Sequence, residues 1–248
     1  MLSHGKSGRV GNLPKARRSQ SEAGLPTGSG MKNPIAITRD DVDFAQRDDL
    51  LWDFGNKVLY DLCRHHPKHD RRDVIIAKVW LIGRAYAAAI ERRRNAKGSS
   101  DDFYEKTVAK GIQESAIDDW LSSLPAQMID PWRELGQVVA VHKRLMDLFA
   151  DMTGLEKRSL ASKYLHFHRP DHFFIYDSRA RGAAMKVIAS IRETAEIHAE
   201  EADPEYLMFV RRCQQIRDNV KQQSGISLTP RQLDKIFLRI QERKGQEA

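Results

Sequence analysis

Apolar positions recur at three- and four-residue steps along almost the whole chain from Ile37 onward, the spacing of a buried helical face. Leu50, Leu51, Phe54, Val58, Leu59 and Leu62 make one such face and stop before Pro67. Val74, Ile75, Val79, Ile82, Tyr86 and Ile90 make the next, closing in Glu91 and Arg92 to Arg94, where cations suit a helix C-terminus. Gly83, Ala85 and Ala87 to Ala89 thin this helix and predict close packing on a neighbour. Mid-helix, Arg84 is a candidate for a buried, paired cation. A polar loop, Asn95 to Asp102, precedes short helices from about Phe103 to Ile112 and from Ile117 to Leu124.

Prolines then mark the starts. Asp130-Pro131 reads as an N-cap with proline at the first helical position, opening a helix through Leu135, Val138, Val139, Leu145, Met146 and Phe149 to Gly154. A second helix follows that glycine turn and breaks at Pro170. Phe173 to Tyr176 is a short extended piece, and Asp177 sits at the N-cap of a helix from Ala180 to about Ala199. Asp203-Pro204 and Thr229-Pro230 open the last two helices. No stretch alternates long enough to demand a sheet, and there is no internal repeat. The expectation is an all-α fold: a multi-helix globular domain of about ten helices over residues 36–248. Residues 1–35 are rich in Gly, Ser, Pro and Arg without an apolar period, which predicts a disordered basic tail.

Charge adds less than its total suggests. The formal net charge is +7, but residues 1–35 hold six cations against Glu22, so the rest of the chain carries a surplus of only two. No apolar run approaches the ~18 residues of a membrane span, and the N-terminus lacks the apolar core of a secretory signal. With only Cys63 and Cys213, neither obliged to pair, the default expectation is a reducing cytoplasm. No phosphate-binding glycine loop, Gly-x-Ser-x-Gly elbow or dinucleotide fingerprint is present. His166 and His168 are two apart and point in different directions on a helix, and His65, His66, His69 and Asp70 gather at a helix end, where histidines complement the dipole without a metal, so neither a metal nor a cofactor is expected.

One region stands apart. Between Leu155 and Lys186 seven cations face three acids, a local surplus of four, interleaved with Tyr164, Phe167, Phe173, Phe174 and Tyr176. Such a mixture offers phosphate contacts and stacking surface; it is also what a core with a solvated face produces. At its centre Asp177 reads either as a plain helix cap or as a carboxylate held ready for chemistry.

The stretch from Thr153 to Ala180 resembles the helix-hairpin-helix DNA glycosylase superfamily, which includes the adenine, thymine-glycol and 8-oxoguanine glycosylases. Arg158, Ser159, Ala161 and Leu165 fall where many members have basic, Lys-or-Ser, Ala and apolar residues, and Phe174-Ile175-Tyr176-Asp177 fits the family's Pro-Ile-Leu-Asp step. About 30 residues carry the match. The resemblance implies that Asp177 stabilises positive charge on the sugar as a base is cleaved off, and that the base is first extruded from the duplex. It implies a DNA partner whose phosphates meet the Gly154 turn, Lys157, Arg158, Arg169, Arg179 and Arg181. His166, His168 and Tyr176 are candidates for the base pocket. Ser159 occupies the position of the amine nucleophile in lyase-competent members, which implies a monofunctional enzyme; Lys163, one turn later, can replace that amine, pair with Asp177 or contact phosphate. The hairpin departs from the family in lacking a second glycine and in carrying Glu156. The competing expectation is a non-enzymatic helical module that binds nucleic acid or protein on the same scaffold.

Overall fold

A computed structural model describes residues 34–94, 99–191 and 202–246. The expected tail up to Asn33, part of the Asn95 loop and the stretch 192–201 lie outside the described residues. Every regular element among the described residues is helical: α1 (Arg39–Ala45), α2 (Asp53–His65), α3 (Arg72–Ala85), α4 (Ser100–Phe103), a π-helical segment (Tyr104–Ala109), α5 (Lys110–Gln113), α6 (Ile117–Ser122), α7 (Pro131–Thr153), α8 (Arg158–His168), α9 (Ser178–Val187), α10 (Pro204–Ser224) and α11 (Pro230–Gln246). No helix among them is long and apolar enough to cross a membrane.

The caps follow the local chemistry. Asp130 and Asp203 each accept a first-turn backbone N–H ahead of a proline, as their sequence context predicts. α7 ends where Gly154 turns left-handed at φ 69°, and a Cβ there would also lie 3.3 Å from Arg94 Cβ.

Two expected helices are shorter than the pattern suggested. α3 stops at Ala85 instead of running to Arg94, because Ala87 adopts φ 52° and the Ala88 N–H bonds back to Gly83 O at 2.8 Å. Gly83 therefore makes room for its own chain's reversal, with Ala88 O and Ala89 Cα each 3.4 Å from where its Cβ would be, and not for a neighbouring helix. Arg84 is correspondingly exposed and pairs with Glu91. α9 likewise ends at Val187. The expected apolar face of α2 is also revised. Leu51, Phe54 and Val58 face outward with Trp52, while Asn56, Leu59 and Cys63 turn inward.

Buried side chains gather in two cores. The first is built by α2 to α6, α7 from Val138 onward and α8, around Ile75, Ile82, Val108, Phe149, Tyr164 and Phe173. The second is built by α1, the N-terminal half of α7 and α9 to α11, around Leu135, Val139, Tyr206, Phe209, Leu233 and Phe237. Each fully buried aliphatic or aromatic side chain contributes roughly 1.5–3 kcal/mol. α7 threads both cores, because Leu135 and Val139 face the second while Val138, Leu145 and Phe149 face the first.

The connector from α8 to α9 crosses between the cores, Phe173 entering the first and Phe174 and Tyr176 the second. It is extended, yet among the described residues no strand pairs with it. Side chains satisfy its backbone instead. His166 Nδ1 donates to Phe173 O at 2.7 Å, Tyr206 OH to Phe174 O at 3.1 Å and Lys163 Nζ to Tyr176 O at 3.1 Å, while Ser162 Oγ accepts the Tyr176 N–H at 3.0 Å.

Candidate functional site at the seam between the cores

The connector delivers Asp177 to the seam. As N-cap of α9, its Oδ1 accepts the Ala180 N–H at 2.9 Å. Its Oδ2 accepts Lys163 Nζ at 3.2 Å, and a third of the side chain (33 %) remains open to solvent. Lys163 has none of its surface exposed. Its ammonium also donates to Ser159 Oγ at 2.8 Å and Tyr176 O at 3.1 Å, so three acceptors surround it. Burial pulls the Lys163 amine below its ordinary value, and the adjacent Asp177 charge opposes that pull.

Residues from α2, α3 and α11 close around this pair. The Lys163 ammonium lies 5.7 Å from the Tyr86 ring centre, and Tyr86 OH donates to Asn56 Oδ1 at 2.6 Å. Tyr60 OH meets His166 Nε2 at 2.6 Å; since His166 Nδ1 donates to Phe173 O, Nε2 is the acceptor. From α11, Asp234 pairs with Arg231, and Lys235 reaches Asp53 at 3.0 Å. Burial pushes the Asp234 carboxyl up to about 6, against the pull of Arg231 and with the Asp177 charge adding to the rise. The seam thus holds one half-open carboxylate backed by a buried ammonium and a second, buried acid near neutrality. Such a set can stabilise a developing cation and orient a water.

The other sequence-predicted residues divide. Ser159 and Lys163 join Asp177 directly. His166 supports the connector and is wholly buried, its ring pulled by burial down to about 4. His168 lies in the first core, 4.9 Å from the His69 ring, its Nε2 buried without a partner. Tyr176 is buried with its OH donating to Glu205. These three side chains build the cores that flank the seam and do not open onto it. Lys157 donates to Ala89 O and Arg92 O, tying the α7–α8 turn to the chain after α3. Arg158 pairs with Asp203, Glu205 and Glu156. Arg169 donates to Leu121 O at 2.8 Å. Arg181 pairs with Glu205 at 3.1 Å. Arg179 is exposed beside Asp177.

Sequence reasoning missed Asn56, Tyr86, Arg231 and Asp234. The one local signal was Asp234 bordering the apolar stripe of Leu233 and Phe237, a place where a lone acid is unusual. It also missed a relay in the first core. His69 donates through Nδ1 to Asp118 at 2.6 Å and meets Tyr164 OH through Nε2 at 2.8 Å, which explains His69 without a metal. Among the described residues no group of three or more His, Cys, Asp or Glu is placed to hold a metal ion. Comparison with protein-family models, curated proteins and solved structures finds no match for this chain.

Proposed function

We propose that this chain is a DNA-binding protein that cleaves a base–sugar bond, with Asp177 as the carboxylate that stabilises the sugar cation. The observation that carries the reading is the pairing of a half-open Asp177 with a buried Lys163 at the seam between two cores. The Ala180 N–H and the Lys163 ammonium fix the orientation of the carboxylate that would face an oxocarbenium-like sugar. Lys163 acts as a fixed counter-charge in this scheme. All its hydrogens are directed at protein acceptors, so hydrolysis by an oriented water is preferred to an imine with the amine.

With Lys157 and Arg158 engaged inside the protein, strand contact falls to Arg179 and to the first-turn amides of α8, which have no side-chain cap. The engagement of those two cations favours the second reading, a non-enzymatic binding module. The test is a screen of duplexes carrying modified bases. Asp177→Asn should cut base release by on the order of a hundredfold or more while retaining DNA affinity. Asparagine caps a helix nearly as well as aspartate, so the fold should be preserved. Equal release by both proteins removes the catalytic assignment; binding without release by wild type leaves the module.

A further inference from the structure

One turn beyond Asp177, where the Arg181 N–H bonds to Asp177 O, α9 and α10 enclose a surface cavity of about 310 Å³. Met185 and Met208, each 41 % exposed, line it together with the buried Phe209. Arg181, Arg212 and Glu205 also line it. Glu205 already receives Arg158, Arg181 and the Tyr176 hydroxyl. Arg212 donates to Ile188 O at 3.2 Å and Ala189 O at 3.3 Å, and among the described residues it has no carboxylate partner. The cavity therefore combines a polarizable thioether surface with a guanidinium whose charge is unanswered. An inorganic anion would leave the methionines uncovered; a neutral apolar ligand would leave Arg212 unpaired. A planar ring bearing an anion meets both, and the volume is at the lower end for small-ligand sites. Methionine adapts to flat rings, and a guanidinium fork matches phosphate oxygens.

We infer that this cavity seats one nucleotide of a bound strand, its base over Met185 and Met208 and its phosphate on Arg212. The inference rests on the nucleic-acid reading for its choice of a strand as the source.

The experiment titrates the full chain with thymidine 5′-monophosphate, thymidine and inorganic phosphate by calorimetry, and with a short fluorescent single-stranded oligonucleotide by anisotropy. The monophosphate should bind at least tenfold more tightly than either fragment, and the oligonucleotide more tightly still. Arg212→Gln and Met208→Ala should each weaken both ligands by about tenfold. Met208 is surface-exposed, so its variant tests the site even if loss of the Arg212 carbonyl contacts loosens the fold. Equal affinity for phosphate and monophosphate, an oligonucleotide no tighter than the monophosphate, or binding unchanged in Met208→Ala overturns the inference. Nucleotide binding lost in both variants, with no base release from any duplex, keeps the cavity and removes the enzymatic reading. Base release without nucleotide binding removes the cavity alone.

Discussion

The two cores share a helical build and differ in what holds their polar groups. The first is laced by imidazole and phenol hydrogen bonds: His69 donates to Asp118 and meets Tyr164, and His166 accepts from Tyr60 and donates to the connector. The second is stitched by guanidinium–carboxylate pairs, Arg158 with Asp203 and Arg239 and Arg243 with Asp41. Burial alone would raise Asp41 and Asp203, but hydrogen bonds from Thr38 and Arg243, and from Arg158 and the Tyr206 N–H, outweigh it and hold both low. The first core is thus sensitive to the protonation of imidazoles, the second to loss of a charge partner. The seam inherits from both, which is why it holds Lys163, Asp177 and Asp234 together.

Acid gives the largest separation. Burial pulls His166 down to about 4 and lowers His69, His168 and His172, all in or beside the first core; among the described residues of the second, His142, stacked on Tyr206, falls to about 4. Folded values below the unfolded one, near 6.5, mean that the unfolded chain binds more protons in acid. This stability is complete above about pH 6.5 and is lost as pH falls towards 4, by roughly 3 kcal/mol for a fully buried histidine. Asp234 has the opposite sign, since its raised value adds stability in acid that is lost as pH rises through about 6. Hydrogen exchange at pH 5 and pH 7.5 should show amides of α2, α3 and α8 losing protection before those of α10 and α11. Simultaneous loss would break the contrast.

Removing one carboxylate comes next. Asp203→Ala strands the Arg158 guanidinium, which is largely buried, and uncaps α10, for roughly 3 kcal/mol. Urea unfolding should register that loss, and exchange should place it in the second core; a change under ~1 kcal/mol would show that Glu205 and Glu156 suffice for Arg158. Lys163→Met sharpens the seam's position between the two. Methionine has no donor, so the Tyr176 carbonyl and Asp177 lose their partner, and the change should cost about 2 kcal/mol. Thermal melting should fall, and on the proposed chemistry base release should fall with it. A lowered melting temperature together with intact release would make Lys163 structural. Smallest of the four, Gly154→Ala should cost about 1–2 kcal/mol, because the left-handed turn resists a side chain and Arg94 lies close to the added methyl. Stability equal to wild type in denaturant would show that the turn relaxes.

Much of this was legible in the chain. The proline-led starts at Asp130, Asp203 and Thr229 and the cap at Asp177 are local chemistry, and each is where the pattern placed it. The end of α3 was not, because Ala87 to Ala89 are good helix formers and only packing of the reversed chain against Gly83 stops them. The roles of Lys157 and Arg158 were also hidden. Their partners, Ala89 and Asp203, lie 68 and 45 residues away, and a basic residue in sequence does not reveal whether a carboxylate will fold onto it. Asp234 needed α11 docked on the seam before its burial existed at all.

The alternation of Phe173 and Phe174 constrains how this chain can vary. Consecutive residues of the connector enter opposite cores, so a single inserted or deleted residue between Pro170 and Asp177 would exchange their destinations and swing the carboxylate off its amine. Length here is fixed as firmly as the thread of a screw, whereas substitutions that keep size and polarity can accumulate around it.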